Sequence, residues 1–552
     1  MALSRRRTKW ILFTALVVVY GGAQWIGRRD VALTDDAYQY LGAAQVYKAW
    51  YIDAFRSVVG GRNGALRQDA IDRHFQVNNV HPPMAKALMA AGIAIFHDRL
   101  QCLDEIEAAR VGVLCLSTLL AALMFLMCWP VYGPAVAAAA PLFLLVMPRF
   151  FFDSHIESLD VACAATYFMA VFCFWQSRRH DGWAAAAALA AGLAMSTKVN
   201  GVLVVVPLTL AWWFDIFRTR AGWRDALRRL AHPPPALLLM IAMGPIVAIL
   251  LWPWLWGDTI RRLSAYVAFY VHHHPSLFYY VGTIYYVPFA PWHAPLVMAA
   301  ITTPVPILVL AALGVAIVVR RQTRQSNVEP DVRALDALVI LNALVTIGAV
   351  ALPNVPKYGG VKLFLPFFPF LAILAAVGFD AAANAAAAVA FGIGARWRAA
   401  ASAAALAALV GSMGWTLAHI HPYELSYYNA MIGGLRGADR LGFETQYYDL
   451  WYLELARWLN RTYPDGVHVF FQPNNTEYLR HAAWYYEAGR LNRNVVIVRQ
   501  ESDADIVVLT HERRWPQYGE LRERFRTHRA RHELVVEGVP LLTVYDAKSS
   551  DD

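Results

Sequence analysis

The sequence predicts a polytopic α-helical membrane protein that ends in a small soluble α/β domain. Three observations predict it. Over 552 residues, 58% are hydrophobic and only 16% charged, and the mean hydropathy is +0.38, values outside the range of soluble domains. Apolar runs long enough to cross a bilayer recur from Trp10 onward, each near the roughly 20 residues that a span requires. From about His419 the composition turns polar, and strand-like and helical patterns alternate.

The N-terminus, Arg5-Arg6-Arg7-Thr8-Lys9 ahead of Trp10 to Gly27, has the charged and apolar regions of a signal peptide without a small-residue cleavage site, and reads as a retained anchor. Candidate spans follow at 10–27, 108–130, 134–152, 159–176, 183–199, 201–217, 236–256, 294–319, 334–352, 362–380 and 399–418, about eleven in all. With the N-terminus in the cytoplasm, alternate gaps collect Arg178 and Arg179, then Arg218, Arg220, Arg224, Arg228 and Arg229, then Arg320, Arg321, Arg324 and Arg333, then Arg396 and Arg398. The opposite short gaps hold little beyond Lys198, Arg261, Arg262, Lys357 and Lys362. That asymmetry predicts an N-in, C-out multi-pass protein of the plasma membrane.

Two large outer segments result, giving a transmembrane domain over 1–418, whose outer loop 28–107 carries an acidic motif, and an extracytoplasmic domain over 419–552. In the loop, Ala37 to Phe55 is amphipathic and suits the interface plane. In the C-terminal region, strands are expected at Val467-Phe471, Val495-Val498, Ile506-Leu509, Glu533-Val536 and Leu541-Tyr545, with helices near 449–462, 476–489 and 515–529. Ala381 to Ala390 is Ala-rich low complexity. The formal charge of +9 lies in short inter-span gaps, so the basic residues are topology signals and no nucleic-acid partner is implied. Cys102, Cys115, Cys128, Cys163 and Cys173 lack metal-ligand or CxxC spacing and read as small core residues. Transporter-like internal repeats are missing.

Ionisable residues gather at the outer span ends, where charge near membrane depth marks a pathway or a site. The foremost are Asp35 and Asp36 in Thr34-Asp35-Asp36-Ala37. Adjacent carboxylates repel each other and lose solvation there, although a helix cap with a second acid in the first turn is the plain structural alternative. His81 and Lys86 lie in Asn79-Val80-His81-Pro82-Pro83-Met84-Ala85-Lys86, which also reads as a loop entering a helix. Arg110 either faces an anion or pairs with Glu107. Asp153, His155, Glu157 and Asp160 precede the fourth span, with Glu157 and Asp160 three apart, on one face if helical. Lys198 either faces the same site or snorkels at a helix end. Lys357 and Lys362 gather on the same side, and either belong to the site or only flank a membrane span. His272-His273-His274 cannot all turn toward one metal ion.

Taken together these segments resemble the GT-C membrane glycosyltransferases of family 39, the group of the protein O-mannosyltransferases, and more distantly the aminoarabinose transferases. The resemblance rests on Asp35-Asp36, on His81-Pro82-Pro83-Met84-Ala85-Lys86, on Arg110, on Arg149-Phe150-Phe151 through Leu159-Asp160, and on Gly192-Leu193-Ala194-Met195-Ser196-Thr197-Lys198, covering about the first 220 residues. More weakly, Val361-Lys362-Leu363-Phe364-Leu365-Pro366-Phe367-Phe368-Pro369 and His421-Pro422-Tyr423-Glu424 resemble segments of bacterial relatives.

The resemblance implies a polyprenyl-phosphate-sugar donor lipid, inverting transfer of a hexosyl or pentosyl group at the outer face, and an acceptor hydroxyl on protein, lipid or glycan. It implies Asp35 as catalytic base beside Asp36, which stands where the family carries Glu. It also implies Lys198, Arg110, Lys86 and His81 at the donor phosphate, and Asp160 with Glu157 as a second acidic site. No cofactor is certain, and a divalent cation held by Asp35 and Asp160 is left open. Eukaryotic relatives insert a β-trefoil between spans, for which this chain has no room. Two other readings stand beside this one: a transporter or flippase of lipid-linked sugars, which should carry its charges at mid-membrane, and a non-catalytic scaffold.

Overall fold

The computed structural model describes residues 2–218, 222–272, 276–323, 328–389 and 395–548. His273, His274, Arg220, Arg324 and Ala390 lie outside the described residues. Among those described, eight helices are long and apolar enough to cross a membrane, or nine if the pair Pro134–Leu145 and Pro148–Ser154, bent by 73°, is one span. The other expected spans also form helices, Asp160–Ser177 of 18 residues and Trp183–Met195 of 13. The 294–319 stretch breaks into Ala294–Thr302 and Val305–Thr323.

Apolar helices in lipid gain little from hydrophobic contact with each other, so small residues that admit close backbones decide where they cross. Gly314 and Gly378 do this for Val305–Thr323 and Phe367–Val389. A Cβ on Gly314 would come within 1.9 Å of the Leu374 carbonyl oxygen, and one on Gly378 within 2.0 Å of that of Leu310.

Ala37–Val59 is the expected amphipathic helix, burying Ala37, Tyr40, Leu41, Ala44, Tyr47 and Trp50 on one side. Its Tyr47 stacks on Phe75 of the short helix Gln68–Phe75 at 4.3 Å between ring centres. Helix Met84–Gly92 follows directly after His81-Pro82-Pro83.

An antiparallel hairpin, β1 (Leu277–Tyr280) and β2 (Thr283–Tyr286), had no signal strong enough to be expected. The C-terminal strands β3 (Val467–Gln472), β4 (Val495–Ile497), β5 (Ile506–Thr510), β6 (Ala530–Val536) and β7 (Val539–Asp546) form one sheet in the order β4-β3-β5-β7-β6. β3 is parallel to both β4 and β5, and β7 is antiparallel to β5 and β6. β5, Ile-Val-Val-Leu-Thr, is buried at every position, as befits a central strand covered on both faces.

Several contacts stitch this domain onto the membrane part, among them those at Leu33 and Asp104. Trp451 donates its amide to Leu33 in an isolated antiparallel bridge. Arg490 grips Asp104, the N-cap of Glu105–Tyr132, at 2.7 and 3.0 Å.

Candidate active site

The acidic pair sits in a turn between the end of the first helix and Ala37–Val59. Asp36 occupies the N-cap position, but its side chain makes no capping bond. The helix-cap reading therefore fails. Asp35 Oδ1 accepts the Asp36 amide at 2.8 Å, while Asp36 Oδ2 accepts from Lys362 Nζ at 3.0 Å. Asp36 keeps 34% side-chain exposure, so the pair is recessed yet reachable.

The two carboxylates are driven apart electrostatically. Burial and then the charge of Asp36 push the Asp35 carboxyl up to about 7, against the pull of Lys362 and Arg514. Burial also disfavours the charged form of Asp36, but the charge and hydrogen bond of Lys362 outweigh it and hold Asp36 below its ordinary range. Lys362 is raised in turn, because Asp36 and Asp35 more than offset its burial. Two acids in one turn pushed in opposite directions are what a base and its partner require.

Of the two readings open for Lys362, the structure favours the site over the span flank: the chain Lys357-Tyr358-Gly359-Gly360-Val361-Lys362 curls back to the acidic turn. Gly359 and Gly360 have φ of 63° and 65°, two successive left-handed positions that L side chains rarely adopt. The double glycine ahead of a basic residue was the available signal. Lys357, by contrast, does flank its span, donating to the carbonyls of Leu352 and Val355.

A second ion pair lies beside the first. Lys198, at the break between Trp183–Met195 and the 3₁₀ turn Val199–Val204, contacts Asp160 at the start of Asp160–Ser177. Both are nearly buried, so Lys198 does not snorkel. Asp160 and Asp35 both act on Lys362, and Lys198 on Asp36, so the pairs share one electrostatic neighbourhood. Asp153 is buried in the same neighbourhood, within the electrostatic reach of Asp160, Lys362 and Lys198.

His81 lies within electrostatic reach of Asp36. The Tyr270 hydroxyl donates to Val80 O at 3.1 Å and lies 2.9 Å from His81 Nδ1. Since that hydroxyl has one proton, Nδ1 must carry the hydrogen and Nε2 is left as an acceptor. Burial and the nearby Lys86 push the imidazole down to about 3, so it is neutral.

Three expected ligands stand elsewhere. Arg110 is fully buried and saturated: its Nε donates to Glu157 at 2.6 Å, and its terminal nitrogens to the carbonyls of Arg28, Val31 and Ala32 at 2.8 to 3.2 Å. Glu157 thus shares no helical face with Asp160, because the helix begins only at Asp160 and the two acids point to different cations. Glu107, the alternative partner of Arg110, binds Arg28 instead. Lys86 spends its three protons on Asn78 O, Asn78 Oδ1 and His81 O. Arg110 and Lys86 therefore shape the loops that present Asp35 and His81.

Among the described residues, no group of three His, Cys, Asp or Glu side chains is arranged to hold a metal ion. Asp160 is engaged by Lys198 and Asp36 by Lys362. That donor set does not fit a divalent cation shared by Asp35 and Asp160.

The C-terminal domain also reaches the site, with no signal in the sequence. Tyr448 O accepts the Asp35 amide at 2.8 Å, its hydroxyl donates to Gly359 O at 2.7 Å, and Lys362 Nζ lies 4.5 Å from its ring centre.

A helical membrane body, ion pairs around a recessed acid and a C-terminal α/β domain are the features of this fold and site. Residues 80–254 match the family model described as dolichyl-phosphate-mannose-protein mannosyltransferase. The fold is similar to the crystal structure of ArnT from Cupriavidus metallidurans bound to undecaprenyl phosphate, with a TM-score of 0.50 at 16% identity and 98% of each chain covered. The oligosaccharyltransferase AglB from Archaeoglobus fulgidus is matched at a TM-score of 0.47 and 11% identity, over 98% of this chain and 74% of that one. The protein O-mannosyltransferase complex of S. cerevisiae bound to its sugar donor is matched at 0.34 and 16%, over 46% of this chain and 34% of that one. Comparison with curated proteins returned no match. The family match covers about a third of the chain, residues 80–254, and the likeness to the ArnT structure is one of fold.

Proposed function

We propose that the protein transfers a hexosyl or pentosyl group from a polyprenyl-phosphate-linked donor to an acceptor hydroxyl, with inversion, at the outer face of the plasma membrane. The observation that carries this reading is Asp35. It is a reachable carboxyl held near 7 beside two lysine–carboxylate pairs, which suits a base working near neutral pH. Asp35 takes the acceptor proton as the acceptor oxygen attacks the anomeric carbon. The bond from that carbon to the phosphate oxygen breaks on the opposite face, and its electrons leave with the lipid phosphate.

Lys198 and Lys362 supply positive charge for the departing phosphate, each exchanging part of its carboxylate contact for the new anion. Neutral His81, with Nε2 free to accept, suits a sugar hydroxyl better than a phosphate. The undecaprenyl phosphate bound to the similar ArnT structure supports a lipid phosphate as the donor's leaving group. The Arg-rich alternate gaps support a cytoplasmic N-terminus, which puts the site and the α/β domain outside. The acceptor belongs to a protein, a lipid or a glycan.

The test is incubation of the purified protein in detergent with undecaprenyl-phosphate-linked pentoses and hexoses, following release of undecaprenyl phosphate. Release from at least one donor, lost in Asp35→Asn, is expected. Failure of every donor, or equal release by Asp35→Asn, overturns the reading.

A further inference from the structure

The backbone at Tyr448 and Asp449 is strained: both are non-glycine residues in the left-handed region, with φ of 74° and 43°. Such conformations persist only where the surroundings over-determine them, and they concentrate at functional sites. Here the surroundings are a buried cluster. The Asp449 amide donates to Glu512 Oε1 at 2.7 Å, and Arg514 bridges Glu512 at 2.6 Å and Asp449 at 3.0 Å. Trp515 and Asn474 donate to the two Asp449 carboxylate oxygens at 3.2 and 3.0 Å. Glu444 accepts the Arg514 amide at 2.7 Å.

The origin of these groups is informative. Asn474 directly follows β3, and Glu512, Arg514 and Trp515 follow β5. The carboxyl ends of neighbouring parallel strands are where open α/β sheets hold ligands. In this domain those ends hold Asp449 of the same chain, and what they fix in place is Tyr448.

Tyr448 in turn touches both halves of the acidic site. Its carbonyl receives the Asp35 amide, its hydroxyl holds Gly359 in the loop that carries Lys362, and its ring lies under the Lys362 ammonium. The ammonium then reaches Asp36 at 3.0 Å. A single residue thereby sets the distance between the acid turn and its lysine.

We propose that the C-terminal domain completes the active site: Tyr448 is a positioning residue that aligns Asp35 with Lys362, and the Asp449–Glu512–Arg514 cluster locks Tyr448 in its strained conformation. This rests on the function proposed above, with Asp35 as base. A misplacement of about 1 Å can lower a rate on the order of 10²-fold, so the effect falls on turnover more than on donor binding.

The experiment compares wild type, Tyr448→Phe, Tyr448→Leu, Arg514→Gln and Arg514→Lys by donor turnover across pH and by amide hydrogen exchange. Tyr448→Leu is expected to lower kcat by on the order of 10²-fold, Tyr448→Phe by about 10-fold, each with little change in donor KM. Arg514 and Lys362 both pull the Asp35 carboxyl down, so Arg514→Gln should shift the acid limb of the rate profile to higher pH, and Arg514→Lys should restore part of it. Exchange should quicken together at 31–37 and 357–363 in Arg514→Gln, a readout that needs no sugar donor and no turnover. Wild-type kcat and an unmoved limb in folded Tyr448→Leu and Arg514→Gln overturn the proposal while leaving the function standing. If no donor reacts even with wild type, the function falls, and exchange alone decides: unchanged protection in both segments overturns the positioning role.

Discussion

Two carboxylate–cation pairs built from the same conspicuous sequence segments have opposite characters. Arg110–Glu157 has no side-chain exposure, and Arg110 also satisfies three backbone carbonyls of the 28–32 turn. Lys362–Asp36 is partly exposed, leans on an aromatic ring, and leaves Asp35 with a displaced protonation equilibrium. Arg110 is spent on its four acceptors and fixes a loop. The second pair retains charge that a substrate can reorganise. Saturation, more than charge or proximity to the membrane, separates scaffold from chemistry.

Substitutions should break that contrast in distinct ways. The largest effect on rate is expected at Asp35→Asn, which removes a general base and should cost roughly 10² to 10⁴ in turnover with no loss of thermal stability. Donor-release assays beside a thermal melt check both halves. Arg110→Ala should do the reverse, destabilising by about 3–5 kcal/mol because Glu157 is left buried and unpaired, with turnover per folded molecule retained. A melt in detergent and an active-fraction count test it. Arg110→Leu combined with Glu157→Leu should recover most of that stability.

Lys198→Ala is expected to weaken binding of undecaprenyl phosphate by about 10-fold or more, since a charge-assisted contact is worth about 1.5–3 kcal/mol. Unchanged binding by fluorescence or calorimetry removes Lys198 from the site. A last effect concerns stability against pH. Because the folded Asp35 carboxyl is raised from 3.8 to about 7, the folded state binds the proton more tightly than the unfolded chain between those values. Stability should therefore fall as pH rises from 4 toward 7 and level off above, and Asp35→Asn should abolish that contribution. Melts of both proteins across this range check the sign.

Much of this organisation was legible in sequence. Apolar length located the helices, and strand-like patterning located all five C-terminal strands. Asp35, Asp36, Asp160, Lys198 and His81 could be singled out because charge at a span end is expensive enough to demand a reason. Arg110 and Lys86 met the same criterion yet proved structural, since sequence registers the charge and not the carbonyls that saturate it. Lys362 was hidden by the equally good explanation of a span flank. Tyr448, Asp449 and Arg514 gave no sign at all, because their roles depend on a left-handed turn and on the docking of a distant domain.

The central claim, that Asp35 is a base poised near neutrality, is tested most directly by the pH dependence of single-turnover release of undecaprenyl phosphate. The account predicts a rate that climbs about tenfold per pH unit below about 7 and flattens above it, with the limb absent from whatever activity Asp35→Asn retains. A wild-type rate that is flat from pH 5 to 8, or an identical limb in Asp35→Asn, would contradict it.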